Sequence, residues 1–227
     1  MKTYLDFAST TPMATEVIEE MHAVMSEASF GNPSSLDHEY GIRAKNIIEL
    51  CKRVICEQIP GDFLEAGVWR GGTCILMRGI LEAYNIKNRN VFCADSFEGL
   101  PKPDEGKYPS DSGDILHTFE QLAVSIETVK ENFEKYDLLD EQTVFLKGWF
   151  KDTMPTISDK TFAIIRLDGD MYGSTMDVLN NIYDRVSEGG FIVVDDYALP
   201  TCRAAIEDFR QERKFRFNYI QWRSKSW

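Results

Sequence analysis

The hydrophobic pattern of the chain alternates between short apolar runs and segments with helical spacing. Runs such as 164–167 (IIRL) and 191–194 (FIVV) are mostly apolar without alternation, which is typical of parallel strands that are covered on both faces. Strands are predicted at 63–64 with its flanking residues, 90–94, 142–146, 164–167, 191–194 and 215–222. Helices are predicted at 16–26, 44–58, 73–84, most of 116–136, 174–187 and 200–213, with a Pro/Gly/Asp-rich loop at 101–113. Because strands and helices alternate from about residue 60 onward, the pattern predicts an α/β fold with a doubly wound, mostly parallel sheet.

Length and composition narrow the possible classes of protein. A chain of 227 residues is long enough for one α/β domain with a sizeable core. The net charge of −12 argues against binding to nucleic acids or to anionic membrane surfaces, because no basic excess is available to neutralise phosphates. No apolar run reaches the length of a membrane span, and no signal peptide is recognisable. The five cysteines are scattered and form no Cys-x-x-Cys pair, which predicts reduced thiols in a cytoplasmic protein.

Acidic residues directly follow two of the predicted strands. Asp168 and Asp170 come after one apolar run, and Asp195 and Asp196 come after the next. The helix between the strands makes a right-handed βαβ unit, so both clusters lie at the carboxyl edge of one sheet, where ligands bind in such folds. A single Asp in this place is often a helix cap or a loop residue, but two clusters one crossover apart favour a site. Converging carboxylates predict a site for Mg²⁺ or a similar divalent cation.

The turn after the first predicted strand is rich in glycine. Its residues 65–73 read EAGVWRGGT, and their spacing differs from the dinucleotide-binding fingerprint. Gly67 allows a tight turn and a close approach of a ligand to the backbone, although such turns often serve only packing. Asp95 ends the next strand, where a carboxylate can accept hydrogen bonds from ribose hydroxyls. Together the turn and Asp95 indicate an adenosine-containing ligand.

Several blocks of the chain resemble one enzyme family. The blocks are GDFLEAGVWRGGTCILMRG (61–79), ADSFEGLP (94–101), FLKGWFKDTMP (145–155), IIRLDGDMYGSTMDVL (164–179), GGFIVVDDY (189–197) and CRAAIEDFR (202–210). In order and spacing they resemble the macrocin O-methyltransferase family, the metal-dependent sugar methyltransferases of antibiotic biosynthesis. That family is similar to catechol-type methyltransferases in its use of S-adenosylmethionine and Mg²⁺.

The resemblance implies a fold, cofactors and site residues. It implies a Rossmann-like class I methyltransferase domain over residues 46–227, with helices on both faces of the sheet and residues 1–45 as an atypical extension. Carried over by position, the metal ligands are Asp168, Asp195 and Asp196, and the general base is Asp170. Independently of the resemblance, His117 is an alternative base because it follows the loop at 101–113. The S-adenosylmethionine site is lined by Glu65, Gly67 and Asp95, with Ser96 and Trp149 nearby.

Methyl transfer explains why these residue types are needed. The cofactor carries an activated methyl group, so the protein must position the acceptor and deprotonate it. A sugar hydroxyl is a poor acid; binding to Mg²⁺ lowers its pKa, and a nearby carboxylate can accept its proton. We therefore expect a small glycosylated acceptor, no nucleic-acid or membrane partner, and a homo-oligomer.

The first residues of the chain resemble a different family. The blocks YLDFASTTPMATEVIEEM (4–21) and FGNPSSLDHEYGIRAK (30–45) resemble the start of cysteine desulfurases and related class V aminotransferases. Those enzymes need a Schiff-base lysine and a large cofactor domain that do not follow here, so we expect no pyridoxal phosphate chemistry. Three functions are weighed: a metal-dependent O-methyltransferase, which the sequence favours, a domain that binds the cofactor without transferring methyl, and a pyridoxal phosphate desulfurase.

Overall fold

The computed structural model describes residues 39–214. Its strands are β1 (Asp62–Ala66), β2 (Val91–Asp95), β3 (Thr143–Lys147), β4 (Phe162–Leu167) and β5 (Val186–Val194). Its α-helices are α1 (Glu39–Cys56), α2 (Gly72–Ala83), α3 (Ile126–Glu134), α4 (Phe150–Thr153), α5 (Tyr172–Ile182) and α6 (Pro200–Arg213). The predicted alternation and the α/β class are confirmed. The helix predicted at 16–26 and the strand predicted at 215–222 lie outside the described residues.

The five strands form one parallel sheet in the order β3-β2-β1-β4-β5. Leu64 in the central strand β1 is paired with Phe92 of β2 on one side and with Ile165 of β4 on the other. The chain first winds outward from β1 to β3 and then returns to the other side of β1 with β4. The carboxyl ends of β1 and β4 therefore flank the point where the strand order reverses, which is where such sheets bind ligands.

Helices cover both faces of the sheet and form two hydrophobic cores. On one face, α1, α2 and α3 pack against strand residues that include Phe63 and Ile164. On the other face, α5, α6 and the 3₁₀ turn Met154–Ile157 pack against residues that include Leu64 and Ile165. Because successive strand residues point to opposite faces, each continuous apolar run supplies both cores. This explains why the strands show no alternation of polar and apolar residues.

The helix predicted over most of 116–136 is wrong in its first half. Two 3₁₀ turns, Leu116–Thr118 and Glu120–Leu122, precede α3, and Phe119 between them has an extended backbone. The hydroxyl of Ser125 accepts a hydrogen bond from the backbone of the first turn of α3 and caps the helix there. The continuous helix is thus replaced by a short capped helix that follows an irregular segment.

The helix predicted at 174–187 also ends earlier than the sequence indicated. It ends as α5 at Ile182, and β5 already begins at Val186, which is paired with Phe162 of β4. Gly189 and Gly190, which follow the predicted helix in the sequence, lie inside this strand, next to an irregularity in its pairing with β4. A side chain at Gly190 would lie 3.0 Å from the carbonyl oxygen of Ala163. The glycine therefore permits a close approach of β5 to β4 that helix-stop rules do not reveal.

Among the helices within residues 39–214, none combines the length and the apolar character needed to cross a membrane. The five cysteines are all free thiols, as the sequence predicted, and four of them are buried.

Candidate active site

A cleft of about 680 Å³ lies at the carboxyl edge of the sheet. The predicted site residues that line it are Glu65, Gly67, Asp95, Ser96, Trp149, Asp168 and Asp170. Asp195 and Asp196 follow β5 and lie beside Asp168. The fold therefore brings the residues proposed from sequence to one edge of the sheet. His117, the alternative base, is not among the described residues that line the cleft.

Three carboxylates converge at the ends of β4 and β5. Asp168, Asp195 and Asp196 each offer one oxygen, and these oxygens lie within 4.8 Å of one another. Burial and the neighbouring Asp168 raise the pKa of Asp196 to about 8, and burial also raises the pKa of Asp168. Since the mutual repulsion of these groups would be relieved by a counter-ion, the oxygen donors fit a divalent cation such as Mg²⁺.

Asp170 follows Asp168 by two residues and has an unusual backbone conformation. Its φ is +58°, which is uncommon for a residue other than glycine. Its amide donates to Asp196 Oδ2 at 3.1 Å, and its carbonyl accepts from Thr201 Oγ1 at 3.0 Å. Burial first, and then the charges of Asp168 and Asp114, raise the pKa of Asp170 to about 6. A carboxylate with such a pKa is suited to accept a proton near neutral pH.

A buried arginine that the sequence analysis did not select connects several of these groups. Arg166 of β4 donates through Nη1 to Glu65 and to Asp168, and its Nη2 lies 2.8 Å from Asp195 Oδ1. Glu65 is buried and also accepts a hydrogen bond from Cys74 Sγ at 2.8 Å. Burial raises the pKa of Glu65 to about 7, against the lowering effect of Arg166. A charged residue inside an apolar strand was the available signal, because a buried charge needs partners.

Gly67 is required by the packing of the site itself. Its φ is +96°, and a Cβ at this position would lie 1.8 Å from the carbonyl oxygen of Asp168. Only glycine at this position therefore allows the turn after β1 to contact the backbone of Asp168, directly after β4. The contact holds the turn after β1 against the backbone of the carboxylate cluster.

The carboxylate of Asp95 fixes the same turn. Its Oδ2 accepts from the amides of Val68 at 2.7 Å and Trp69 at 3.3 Å, and its Oδ1 accepts from the amide of Phe97 at 2.8 Å. An ionised carboxylate has about four acceptor positions, so Asp95 keeps capacity for a further donor in the cleft. Asp95 thus has a structural task that the sequence analysis did not foresee, in addition to the predicted contact with ribose.

The hydroxyl of Ser96 is also engaged by the backbone. It donates to the carbonyl of Gly99 at 2.6 Å and accepts from the amide of Glu98 at 3.0 Å. These bonds shape the turn that follows β2. Trp149 lines the cleft at the start of α4.

The loop predicted at 101–113 forms one wall of the cleft and is fastened to α5. Asp111 is buried, and its two oxygens accept from the amides of Tyr172 at 2.7 Å and Gly173 at 2.8 Å, at the positive end of the helix. Tyr108 Oη donates to Asp177 Oδ1 at 2.6 Å. The sequence predicted a loop here but could not show that it contacts α5, because the partners are more than 60 residues apart.

Comparison with known proteins identifies the family of the chain. The family described as Macrocin-O-methyltransferase (TylF) matches residues 40–227. The mycinamicin III 3''-O-methyltransferase of Micromonospora griseorubida is 48% identical over 174 residues, which are 75% of this chain and 68% of that protein. The 8-demethyl-8-(2,3-dimethoxy-alpha-L-rhamnosyl)-tetracenomycin-C 4'-O-methyltransferase of Streptomyces olivaceus is 45% identical over 180 residues, 78% of this chain and 69% of that protein. The chain spans about two thirds of the length of these O-methyltransferase relatives.

The second resemblance seen in the sequence is also found, over a smaller share of the matched protein. The cysteine desulfurase IscS of Buchnera aphidicola is 31% identical over 143 residues, which are 60% of this chain and only 35% of that enzyme.

Among solved structures, the O-methyltransferase NovP is 50% identical with a TM-score of 0.73, over 76% of this chain and 72% of that one. Since the family match covers most of the sequence and a solved O-methyltransferase shares the fold, the chain belongs to the macrocin O-methyltransferase (TylF) family.

Proposed function

We propose that this protein transfers the methyl group of S-adenosylmethionine to a sugar hydroxyl of a glycosylated natural product, with Mg²⁺ held by Asp168, Asp195 and Asp196. The observation that carries the proposal is the convergence of these three carboxylates at the edge of the cleft. The names of two relatives support the choice of acceptor, because one contains mycinamicin III and the other a rhamnosyl group.

The cofactor side of the cleft suits a ligand that is rich in hydrogen-bond donors. S-adenosylmethionine presents an ammonium group and ribose hydroxyls, and Glu65 and Asp95 present acceptors in the same cleft. When bound, the cofactor supplies a methyl group that is already activated by its sulfonium. The protein's own contribution is to orient the cofactor. Asp95 does so from the end of β2, where its carboxylate accepts hydrogen bonds from backbone amides of the two adjoining turns.

The acceptor side needs a group that removes a proton from the hydroxyl. When bound, the cation would lower the pKa of that hydroxyl. Asp170 lines the cleft beside Asp168, and the contacts of its amide with Asp196 and of its carbonyl with Thr201 fix its backbone. Its raised pKa of about 6 lets the carboxylate take up the proton of the hydroxyl.

A direct assay tests the proposal. The purified chain is incubated with S-adenosylmethionine, MgCl₂ and a set of glycosylated natural products that includes mycinamicin III, and methylated products are detected by mass spectrometry. We expect a product one methyl group heavier, loss of the product with EDTA, and recovery when Mg²⁺ is added back. Asp168→Asn should abolish transfer, whereas Asp159→Asn, an exposed acid on the surface, should not.

The possible failures of this assay differ from one another. Transfer that persists in EDTA would exclude the metal mechanism but keep the methyltransferase. Binding of S-adenosylmethionine without transfer to any acceptor would favour the domain that only binds the cofactor. An absorbance band of a pyridoxal Schiff base after incubation with pyridoxal phosphate would favour the desulfurase.

A further inference from the structure

Arg166 touches carboxylates on both sides of the cleft. Its Nη1 contacts Glu65, which lines the cofactor side, and Asp168, which belongs to the carboxylate cluster. Its Nη2 contacts Asp195, a second member of the cluster. The side chains of Arg166 and Asp195 are each 7% exposed and that of Glu65 is 1% exposed, so solvent only weakly screens the contacts of Arg166 with Glu65 and Asp195. The side chain of Asp168 is more open, at 29% exposed.

The shape of the guanidinium allows it to act as a spacer. Its donors point in fixed directions within one plane, unlike those of a lysine ammonium. A carboxylate that gives one oxygen to Arg166 keeps its other oxygen for a different partner. Arg166 thus holds one oxygen of Asp168 and one oxygen of Asp195 at a fixed separation.

We propose that Arg166 is a positioning residue, which orients Asp168 and Asp195 toward the cation and Glu65 toward S-adenosylmethionine, so that one side chain sets the affinity for both. This inference rests on the proposed function, because it uses the same two ligands. Hydrogen-bond partners of metal ligands typically change metal affinity 10- to 100-fold when they are removed.

The positive charge of Arg166 acts against this positioning effect on Mg²⁺ affinity. A positive group beside the cluster repels a cation, so charge alone would make the arginine weaken metal binding. Two substitutions separate the effects: Arg166→Lys keeps the charge and loses the planar fork, and Arg166→Gln loses both. If positioning dominates, Mg²⁺ affinity falls from the natural chain to Arg166→Gln and falls further in Arg166→Lys. If charge dominates, Arg166→Gln binds Mg²⁺ more tightly than the natural chain.

The experiment is calorimetric titration of the full chain with MgCl₂, and separately with S-adenosylmethionine, without acceptor. We expect Mg²⁺ affinity to fall about 10- to 100-fold in Arg166→Lys. Affinity for S-adenosylmethionine in EDTA should fall roughly tenfold in the same variant, because Glu65 loses a charged hydrogen bond. A fall in only one of the two affinities would overturn the shared role, and unchanged affinities would overturn the inference entirely.

Arg78 offers a matched control. It is also a buried arginine, with a side chain that is 2% exposed and is paired with Glu82 and Asp140, but it lies on α2 outside the lining of the cleft. Arg78→Lys should lower the melting temperature and leave both affinities unchanged. Should Arg166→Gln fail to fold, the comparison of Arg166→Lys with Arg78→Lys decides. A natural chain that binds neither ligand would refute the proposed function, whereas a natural chain that binds both with Arg166→Lys unaffected would refute only this inference.

Discussion

The close approach of Gly67 to the backbone of Asp168 predicts an unusually costly Gly→Ala substitution. Alanine at φ +96° brings backbone strain of about 1–2 kcal/mol. In addition, a Cβ only 1.8 Å from the Asp168 carbonyl oxygen must push the two segments apart. Two backbone hydrogen bonds then stretch, from Gly67 N to Ala94 O and from Asp168 N to Ala66 O, both 2.9 Å long. At about 0.5–1.5 kcal/mol each, their loss brings the total to roughly 2–5 kcal/mol.

Alanine substitutions at two other glycines separate the cost of backbone strain from the cost of the steric clash. Gly113 has φ +80° with nothing within 4 Å of an added Cβ, so Gly113→Ala should cost only the strain of about 1–2 kcal/mol. Gly106 has no positive φ and would meet only the flexible side chain of Asp104, so Gly106→Ala should be neutral or stabilising by up to about 1 kcal/mol.

Urea unfolding, followed by circular dichroism, measures the free energy of unfolding of the natural chain and of the three Gly→Ala variants. We expect Gly67→Ala to be the least stable variant and to lose the rise in melting temperature that Mg²⁺ gives to the natural chain, because Asp168 is displaced. Equal losses of stability in Gly67→Ala and Gly113→Ala would refute the steric argument. A Gly67→Ala chain that keeps its full response to Mg²⁺ would refute the link between this turn and the cluster.

Three further predictions concern the cofactor site, the carboxylate cluster and the removal of residues 1–38. Asp95→Ala should weaken binding of S-adenosylmethionine by roughly 1.5–3 kcal/mol in calorimetry, and an unchanged affinity would remove Asp95 from the cofactor site. In EDTA, the free energy of unfolding should fall as the pH rises from about 5 to about 8, because the pKa values of Asp170 and Asp196 are raised to about 6 and about 8 and their protonated forms stabilise the folded state. Asp196→Asn should flatten this profile in urea titrations, and a profile as steep as that of the natural chain would contradict the assignment. A chain that starts at residue 39 should keep a cooperative melt and its cofactor affinity, because α1 begins there and packs into the core; an aggregated product would show that residues 1–38 are needed for folding.

Local signals carried much of the fold. The apolar runs identified the strands because a strand that is covered on both faces needs no polar side. Helix α6 has the bounds that the sequence predicted, since Pro200 at its first position is a signal within the helix itself. The predicted helix over 116–136 failed where tertiary contacts intervene: Trp69 Nε1 donates to the carbonyl of Gln121 at 3.0 Å, and the segment remains irregular. No pattern within that segment reveals a partner so far away in the chain.

The candidate site also combines features that the sequence predicts with features that only the tertiary structure shows. The sequence alone determined which acidic residues follow which strands. Because parallel strands place their carboxyl ends at one edge, the four acids Asp168, Asp170, Asp195 and Asp196 could be grouped from the sequence, and the family resemblance then divided them into metal ligands and base. Only the tertiary structure showed that Arg166 joins this cluster to Glu65, that Asp111 caps α5, and that Asp95 holds the glycine turn. The reason is physical: the period of a strand or helix depends on neighbouring residues, whereas a buried charge is stabilised by whichever partners the folded chain brings within hydrogen-bond distance.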